Sequence, residues 1–273
     1  MQSNFSEFET DEPIRLAVNS ASRPKCTNSD CVAAARRRLM TAAESRERRK
    51  QEATGPYYGM SRRSEEPIKC ELHHDLGALV TRNHYGCLVL NAAHALFIDV
   101  DMFVPNELYN PIQDRDERLR PLRQQVLSDL KSVLQNEDGY GFRIYRTAGG
   151  FRILATTHEF EPGALQAERL MNAVGSDRDF VELCRQQRNF RARLSPKPWR
   201  CRLRRPPNLF PRKTANAEQR FNHWLAGYAT ACTTRATCEY LGNVGPTNVH
   251  PRIGPIIEFH DSATNALSSL PLA

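Results

Sequence analysis

The chain has 273 residues, of which 40% are hydrophobic and 25% are charged, as expected for one fairly large soluble domain with a substantial core. No apolar run approaches the roughly 20 residues that a membrane-spanning helix needs, and the N-terminus MQSNFSEFETDEPIR is too polar for a secretory signal peptide. We therefore expect a cytoplasmic protein with no membrane partner and with reduced thiols.

The first part of the chain differs in composition from the rest. Residues 1–66 contain few large aliphatic side chains and include the arginine-rich run AARRRLMTAAESRERRKQ. This composition predicts a basic arm that is disordered or loosely attached. The alternative is a solvated tail without function. Residues 67–273 are predicted to form a single α+β domain with a helical C-terminal extension.

Four segments in the middle of the chain have clear periodicity. Two short apolar runs, CLVLN (87–91) and LFIDVDMF (96–103), are joined by AAHA and predict an antiparallel hairpin. Residues 120–135 have leucine and valine at helical spacing. FRIYRT (142–147) and FRILATT (151–157) flank Gly149-Gly150 and predict a second hairpin.

Helical patterns follow the second hairpin. EPGALQAERLMNAVG and SDRDFVELCRQQRNF each predict a helix, the latter capped by Ser176 or Asp177. Residues 216–231 predict another helix, and the last residues predict a loop and a short helix. This order of elements favours an α+β fold with an antiparallel sheet of hairpins and helices packed on one face.

Two aspartates stand at the centre of the apolar run LFIDVDMF. In a strand, Asp99 and Asp101 share one face, and Ile98 and Val100 share the other. Two carboxylates this close repel each other unless a cation neutralises them, and hard ions such as Mg²⁺ or Mn²⁺ prefer carboxylate oxygens. We therefore predict Asp99 and Asp101 as metal-binding catalytic residues of a nucleotidyl-transfer site. The alternatives are a half-exposed strand or pairing with arginines.

The second hairpin contributes a polar residue and a basic residue. With Gly149-Gly150 as a two-residue turn, Thr147 lies opposite Arg152 at a strand end, where both side chains are placed to contact a phosphate. The alternative is an ordinary cross-strand surface pair.

The order of these motifs resembles that of the archaeo-eukaryotic primase superfamily. LFIDVD is similar to the first motif of that family, and RTAGGFRIL resembles its second motif, with Arg152 where the family has a histidine. The resemblance covers residues 87 to 200 approximately and implies a primase-polymerase fold, with an RRM-like or primase-like palm. The third acidic ligand of the family has no clear match, and Glu258, Asp261 and Asp179 are the candidates. The segments QRNFRARLSPKPWR and IIEFHDSATNALSSLPLA resemble bacterial proteins.

A basic block follows the third predicted helix. Between Leu183 and Ala217 there are eleven arginine and lysine residues and no acidic residue. Such a block favours contact with phosphates or an acidic partner. Arg191, Arg193 and Lys197 are predicted to bind a triphosphate or template. The predicted nucleic-acid contacts are Arg188, Phe190, Trp199 and Arg200. The alternative is a loop packed on the acidic residues around Asp114, Asp116 and Glu117.

Zinc is not expected, because Cys26 and Cys31 lack a second ligand pair, and Cys232 and Cys238 are predicted to be buried thiols. Three hypotheses remain. The first is a divalent-metal-dependent nucleotidyltransferase of primase-polymerase type that acts on nucleic acid. The second is a non-catalytic nucleic-acid-binding protein on a degenerate primase-like fold. The third is an adaptor that uses its basic block to bind an acidic protein.

Overall fold

The computed structural model describes residues 65–68, 76–102, 117 and 119–273. The predicted arm, residues 1–66, lies outside this part of the chain except for Glu65 and Glu66. Within the described residues the fold is α+β, as predicted, with two four-stranded antiparallel sheets rather than one. None of the described helices is long and apolar enough to cross a membrane.

The two sheets are built from eight described strands. These are β1 (Glu66–Ile68), β2 (Ala78–Arg82), β3 (Leu88–Ala92), β4 (Phe97–Asp101), β5 (Phe142–Thr147), β6 (Gly150–Ala155), β7 (Phe190–Arg193) and β8 (Cys238–Val244). The first sheet has the order β1-β2-β3-β7 and the second has the order β4-β6-β5-β8.

Five described α-helices accompany the sheets. These are α1 (Arg120–Gln135), α2 (Leu165–Ala173), α3 (Arg178–Gln187), α4 (Ala215–Cys232) and α5 (Gly254–Thr264). A short 3₁₀ helix, Pro198–Cys201, lies in the basic block. Helix α1 has the predicted bounds, and α2, α3 and α4 lie where helical spacing predicted them. Asp177 caps α3 by accepting a hydrogen bond from the Asp179 amide, as predicted.

The first predicted hairpin is wrong. Strand β3 pairs with β2 and β7, whereas β4 pairs with β6 in the other sheet. The connecting residues do not turn back, because their backbone groups bond to other segments: the carbonyl of His94 accepts from the Phe160 amide and that of Leu96 from the Ala155 amide. The chain therefore passes from one sheet to the other at this point.

The second predicted hairpin is confirmed, but its turn lies one residue earlier. The Thr147 hydroxyl accepts hydrogen bonds from the amides of Gly149 and Gly150, which closes the turn at Ala148-Gly149. Arg152 consequently lies opposite Tyr145, not opposite Thr147. On its other side Arg152 lies opposite Asp99. The pairing of β4 with β6 therefore brings the guanidinium of Arg152 beside the carboxylate of Asp99.

The two faces of the second sheet are covered differently. Ile98, Ile144 and Ile153 lie side by side on one face and are fully buried in the core. The other face carries Arg152, whose guanidinium meets His260 of α5. Helix α5 therefore covers this second face. Strands β1, β2 and β8 were not predicted from the sequence.

We expect Gly150→Ala to destabilise the protein by about 2 kcal/mol, because a Cβ atom there would overlap the Val100 carbonyl oxygen of the paired strand. The matched control is Gly227→Ala in α4, where a Cβ atom meets nothing within 4 Å. That control should stabilise the protein by about 0.5 to 1 kcal/mol. Urea unfolding measures both, and equal effects of the two changes would contradict the close approach of β4 and β6.

Candidate functional site

A cleft of about 260 Å³ opens between the two sheets. Strands β4 and β6 form one wall, and β7 with the segment that follows it forms the other. Eight residues predicted as site residues line this cleft: Asp99, Asp101, Thr147, Arg152, Arg191, Arg193, Lys197 and Arg200. Tertiary packing therefore brings the paired aspartates and the start of the basic block into one place.

The first aspartate is paired with an arginine. Arg152 donates from Nε to Oδ1 of Asp99 at 2.7 Å and from Nη2 to Oδ2 at 3.0 Å. The guanidinium is only 2% exposed, and burial by itself would lower the pKa of Arg152, but the Asp99 carboxylate raises it. This is the arginine pairing that the sequence left open as an alternative to a metal ion.

The candidates for a third acidic ligand lie elsewhere. Asp261 is buried and accepts from the Tyr145 hydroxyl at 2.7 Å and from Arg143 Nη2 at 2.5 Å. Glu258 is exposed on the same helix. Burial lowers the pKa of neighbouring His260, which favours its neutral form. Asp261 thus anchors α5 to the sheet, and neither acid joins Asp99 and Asp101.

The described residues do not fit a carboxylate-bound metal centre. Both oxygens of Asp99 are engaged by Arg152, so Asp101 is the one member of the pair whose carboxylate is left for a cation. Within the described part of the chain, no three histidine, cysteine, aspartate or glutamate residues are close enough together to hold a metal ion. A two-metal platform would first require Arg152 to leave Asp99.

The second aspartate faces the cleft. Asp101 is exposed at the end of β4, and a Cβ atom at Gly149 would lie 3.2 Å from its Oδ1. Burial of part of its carboxyl group and the charge of Asp99 raise its pKa, whereas Lys197 and Arg193 act in the opposite direction. The absence of a side chain at Gly149 keeps this carboxylate accessible.

Cations are crowded on the opposite wall. Burial, and then the charges of Arg193 and Arg200, lower the pKa of Lys197 to about 8. Arg191 is neutralised by Glu65 at 2.6 Å. No carboxylate among residues 65–68, 76–102, 117 and 119–273 forms an ion pair with Arg193 or Lys197. Like charges held this close repel each other, so an anion bound between them would be stabilising.

The predicted nucleic-acid contacts outside the cleft lie in different environments. Trp199 is 43% exposed, with the guanidinium of Arg205 5.3 Å from its ring centre. Arg188 is exposed at the end of α3 and does not line the cleft. Phe190 is fully buried in the core. The prediction for Phe190 is therefore wrong, because this ring points inward from β7, whereas the next residue, Arg191, is partly exposed.

The residues of the cleft that were not predicted from the sequence include His84 and Tyr85. His84 and Tyr85 lie in the turn between β2 and β3 and line the cleft. The Asn83 side chain shapes this turn by accepting from the amides of Tyr85 and Cys87. The rings of Tyr85 and Trp199 are nearly perpendicular, and their centres are 5.2 Å apart. The sequence feature that could have indicated these residues is a pair of adjacent ring side chains in a polar turn between two apolar runs.

Among the predicted buried thiols, Cys238 is fully buried and Cys232 only partly. Cys26, Cys31, Asp114 and Asp116 lie outside the described residues. The zinc prediction and the acidic-face alternative therefore stay as predictions.

Comparisons with protein-family models, with curated proteins and with solved structures found no match for this chain. The resemblance to primases therefore rests on the motifs alone and stays a prediction.

We expect Arg152→Met to destabilise the protein by about 2 to 4 kcal/mol, because it leaves the partly buried Asp99 carboxylate without its partner. The double variant Asp99→Asn, Arg152→Met should recover part of this loss, which a double-mutant cycle in urea measures. Arg185→Ala, which removes an exposed pair with Glu182, is the control and should change stability little. Additive effects of the two cleft substitutions would contradict the pairing.

Proposed function

We propose that the cleft binds the phosphate backbone of a nucleic acid strand and that the protein acts by binding rather than by catalysis. The observation that carries this proposal is that Arg193, Lys197 and Arg200 lie together on one wall of the cleft. Burial, and then the charges of Arg193 and Arg200, lower the pKa of Lys197 to about 8. A phosphate group between these side chains would neutralise their repulsion.

The length of the basic surface supports a strand rather than a single small anion. Beyond the cleft the chain continues through the exposed arginines Arg202, Arg204 and Arg205. Arg205 contacts the rings of both Tyr85 and Trp199, at 5.0 and 5.3 Å from their centres. Aromatic rings and guanidinium groups next to a cationic groove are the features that bind unpaired bases and their backbone.

A metal-dependent nucleotidyltransferase is the second candidate, and the position of Asp101 favours it. This carboxylate faces the same cleft as the three cations. The pairing of Asp99 with Arg152 supports binding over catalysis, because it removes one of the two carboxylates that such chemistry uses.

The first expected result concerns affinity. Lys197→Ala should weaken binding of a fluorescein-labelled single strand of about 12 nucleotides by about tenfold and reduce the salt slope of the binding constant by about one. Fluorescence anisotropy at several KCl concentrations measures both quantities.

The matched control for this affinity test is Arg169→Ala. Arg169 is exposed on α2 and does not line the cleft, so its removal should leave the affinity almost unchanged. Equal losses in both variants would contradict a specific site. Stronger competition by polyglutamate than by an unlabelled strand would favour the acidic-protein partner instead.

The second expected result is a dependence on pH. Because the ammonium form of Lys197 binds phosphate and its pKa is about 8 in the free protein, affinity should fall as the pH rises from 7 to 9. Lys197→Arg should remove this fall, since guanidinium stays charged throughout that range. The same anisotropy measurement at constant ionic strength tests this, and an unchanged pH profile in Lys197→Arg would contradict the assignment.

The third expected result separates binding from catalysis. Calorimetric titration of Mn²⁺ should show no tight binding to the wild-type protein, because Arg152 occupies Asp99. Tight Mn²⁺ binding that vanishes in an Asp99→Asn, Asp101→Asn double variant would overturn the binding-only proposal. The nucleotidyltransferase would then be the better candidate.

A further inference from the structure

Two cysteine side chains meet where the basic block packs on α4. Cys201 ends the 3₁₀ helix Pro198–Cys201, and Cys232 is the last residue of α4. Both thiols are free and partly exposed, and each is near enough to be the largest influence on the pKa of the other. The chain segment between them includes all of α4, so the contact is tertiary rather than local.

The backbone on both sides of Cys201 is held against α4. The Tyr228 hydroxyl donates to the Pro196 carbonyl at 2.5 Å, and the Trp224 indole donates to the Arg204 carbonyl at 2.9 Å. Leu203 packs against the buried cluster of Phe221, Leu225 and Tyr228. Cys232 packs against the same cluster. These contacts hold the 3₁₀ helix that carries Cys201 against the helix that ends at Cys232.

The two thiols differ in acidity in the way that a reactive pair requires. The interaction with the Cys232 side chain, opposed by burial and helped by the charge of Arg235, lowers the pKa of Cys201 to about 7. The interaction with Cys201, together with burial, raises the pKa of Cys232. The proton of Cys201 is therefore the first of the two to be lost.

We propose that Cys201 and Cys232 are a modification site that forms a reversible disulfide on exposure to peroxide. The Cys201 thiolate attacks one oxygen of hydrogen peroxide, the O–O bond breaks, and the departing hydroxide takes up a proton as water, leaving Cys201 as a sulfenic acid. Cys232 then attacks that sulfur, the S–O bond breaks, and its thiol proton leaves with the hydroxide as a second water. Two thiols are oxidised and one peroxide is reduced to two waters.

The disulfide would act on the cleft through the 3₁₀ helix. Trp199 and Arg200 directly precede Cys201 in this helix, and Arg200 lines the cleft. Tying the helix to α4 would hold Arg200 in the position that it has here, which reduces the ordering that accompanies binding. This last step rests on the proposed function, whereas formation of the disulfide does not.

The experiment treats the full chain with hydrogen peroxide, blocks the remaining thiols with iodoacetamide and identifies crosslinked peptides by mass spectrometry. We expect a Cys201–Cys232 peptide and a Tm that rises by about 5 °C and returns when dithiothreitol is added. Cys201→Ser and Cys232→Ser should each abolish the rise in Tm. Cys184→Ala, which removes a buried thiol of α3, should retain the rise.

Absence of the linked peptide from the oxidised wild-type protein would overturn the proposal and needs no variant to interpret. A rise in Tm that persists in Cys201→Ser would also overturn it. Anisotropy with the labelled strand then tests the coupling, for which we expect about threefold tighter binding after oxidation. A linked peptide with unchanged affinity would overturn the coupling alone. A linked peptide without strand binding in either redox state would instead overturn the proposed function.

Discussion

The buried guanidinium of Arg152 joins the main parts of this fold. It bonds Asp99 on β4, donates to the Arg193 carbonyl of β7 at 2.8 Å and meets His260 of α5. A charged group that is almost completely removed from water is stable only if its donors are satisfied and a counter-charge is near. The two sheets and α5 are therefore held in fixed positions relative to each other. The cleft lies between the two sheets that Arg152 joins.

This pairing also sets the charge of the cleft. Once Arg152 neutralises Asp99 and Glu65 neutralises Arg191, the remaining cations on the β7 side face Asp101 across a small space. The paired aspartates and the basic wall of the cleft are thus parts of one electrostatic arrangement.

Many residues of the candidate site could be predicted from the sequence, but the pairs that these residues form could not. The apolar and acidic pattern of LFIDVD and the unneutralised basic block are properties of the sequence, and eight of the residues singled out from them line one cleft. The partner of Asp99 depended on the pairing of β4 with β6, which places Asp99 opposite Arg152. The turn between β5 and β6 closes one residue earlier than the two glycines suggested, because the Thr147 hydroxyl binds the turn amides, and it places Tyr145 opposite Arg152. Phe190 shows the same limit: its type suggested stacking, but alternation along β7 turns it into the core.

The sequence by itself determined the local elements, since helical spacing in α1 and the short glycine turn between β5 and β6 depend on neighbouring residues alone. Only the tertiary structure decided that β3 and β4 belong to different sheets, because strands that are distant in the sequence compete for the same backbone hydrogen bonds. It likewise decided that Arg152 pairs with Asp99 and that Cys201 meets Cys232. Each of these contacts joins segments that local periodicity cannot relate, and burial of the core is what brings them together.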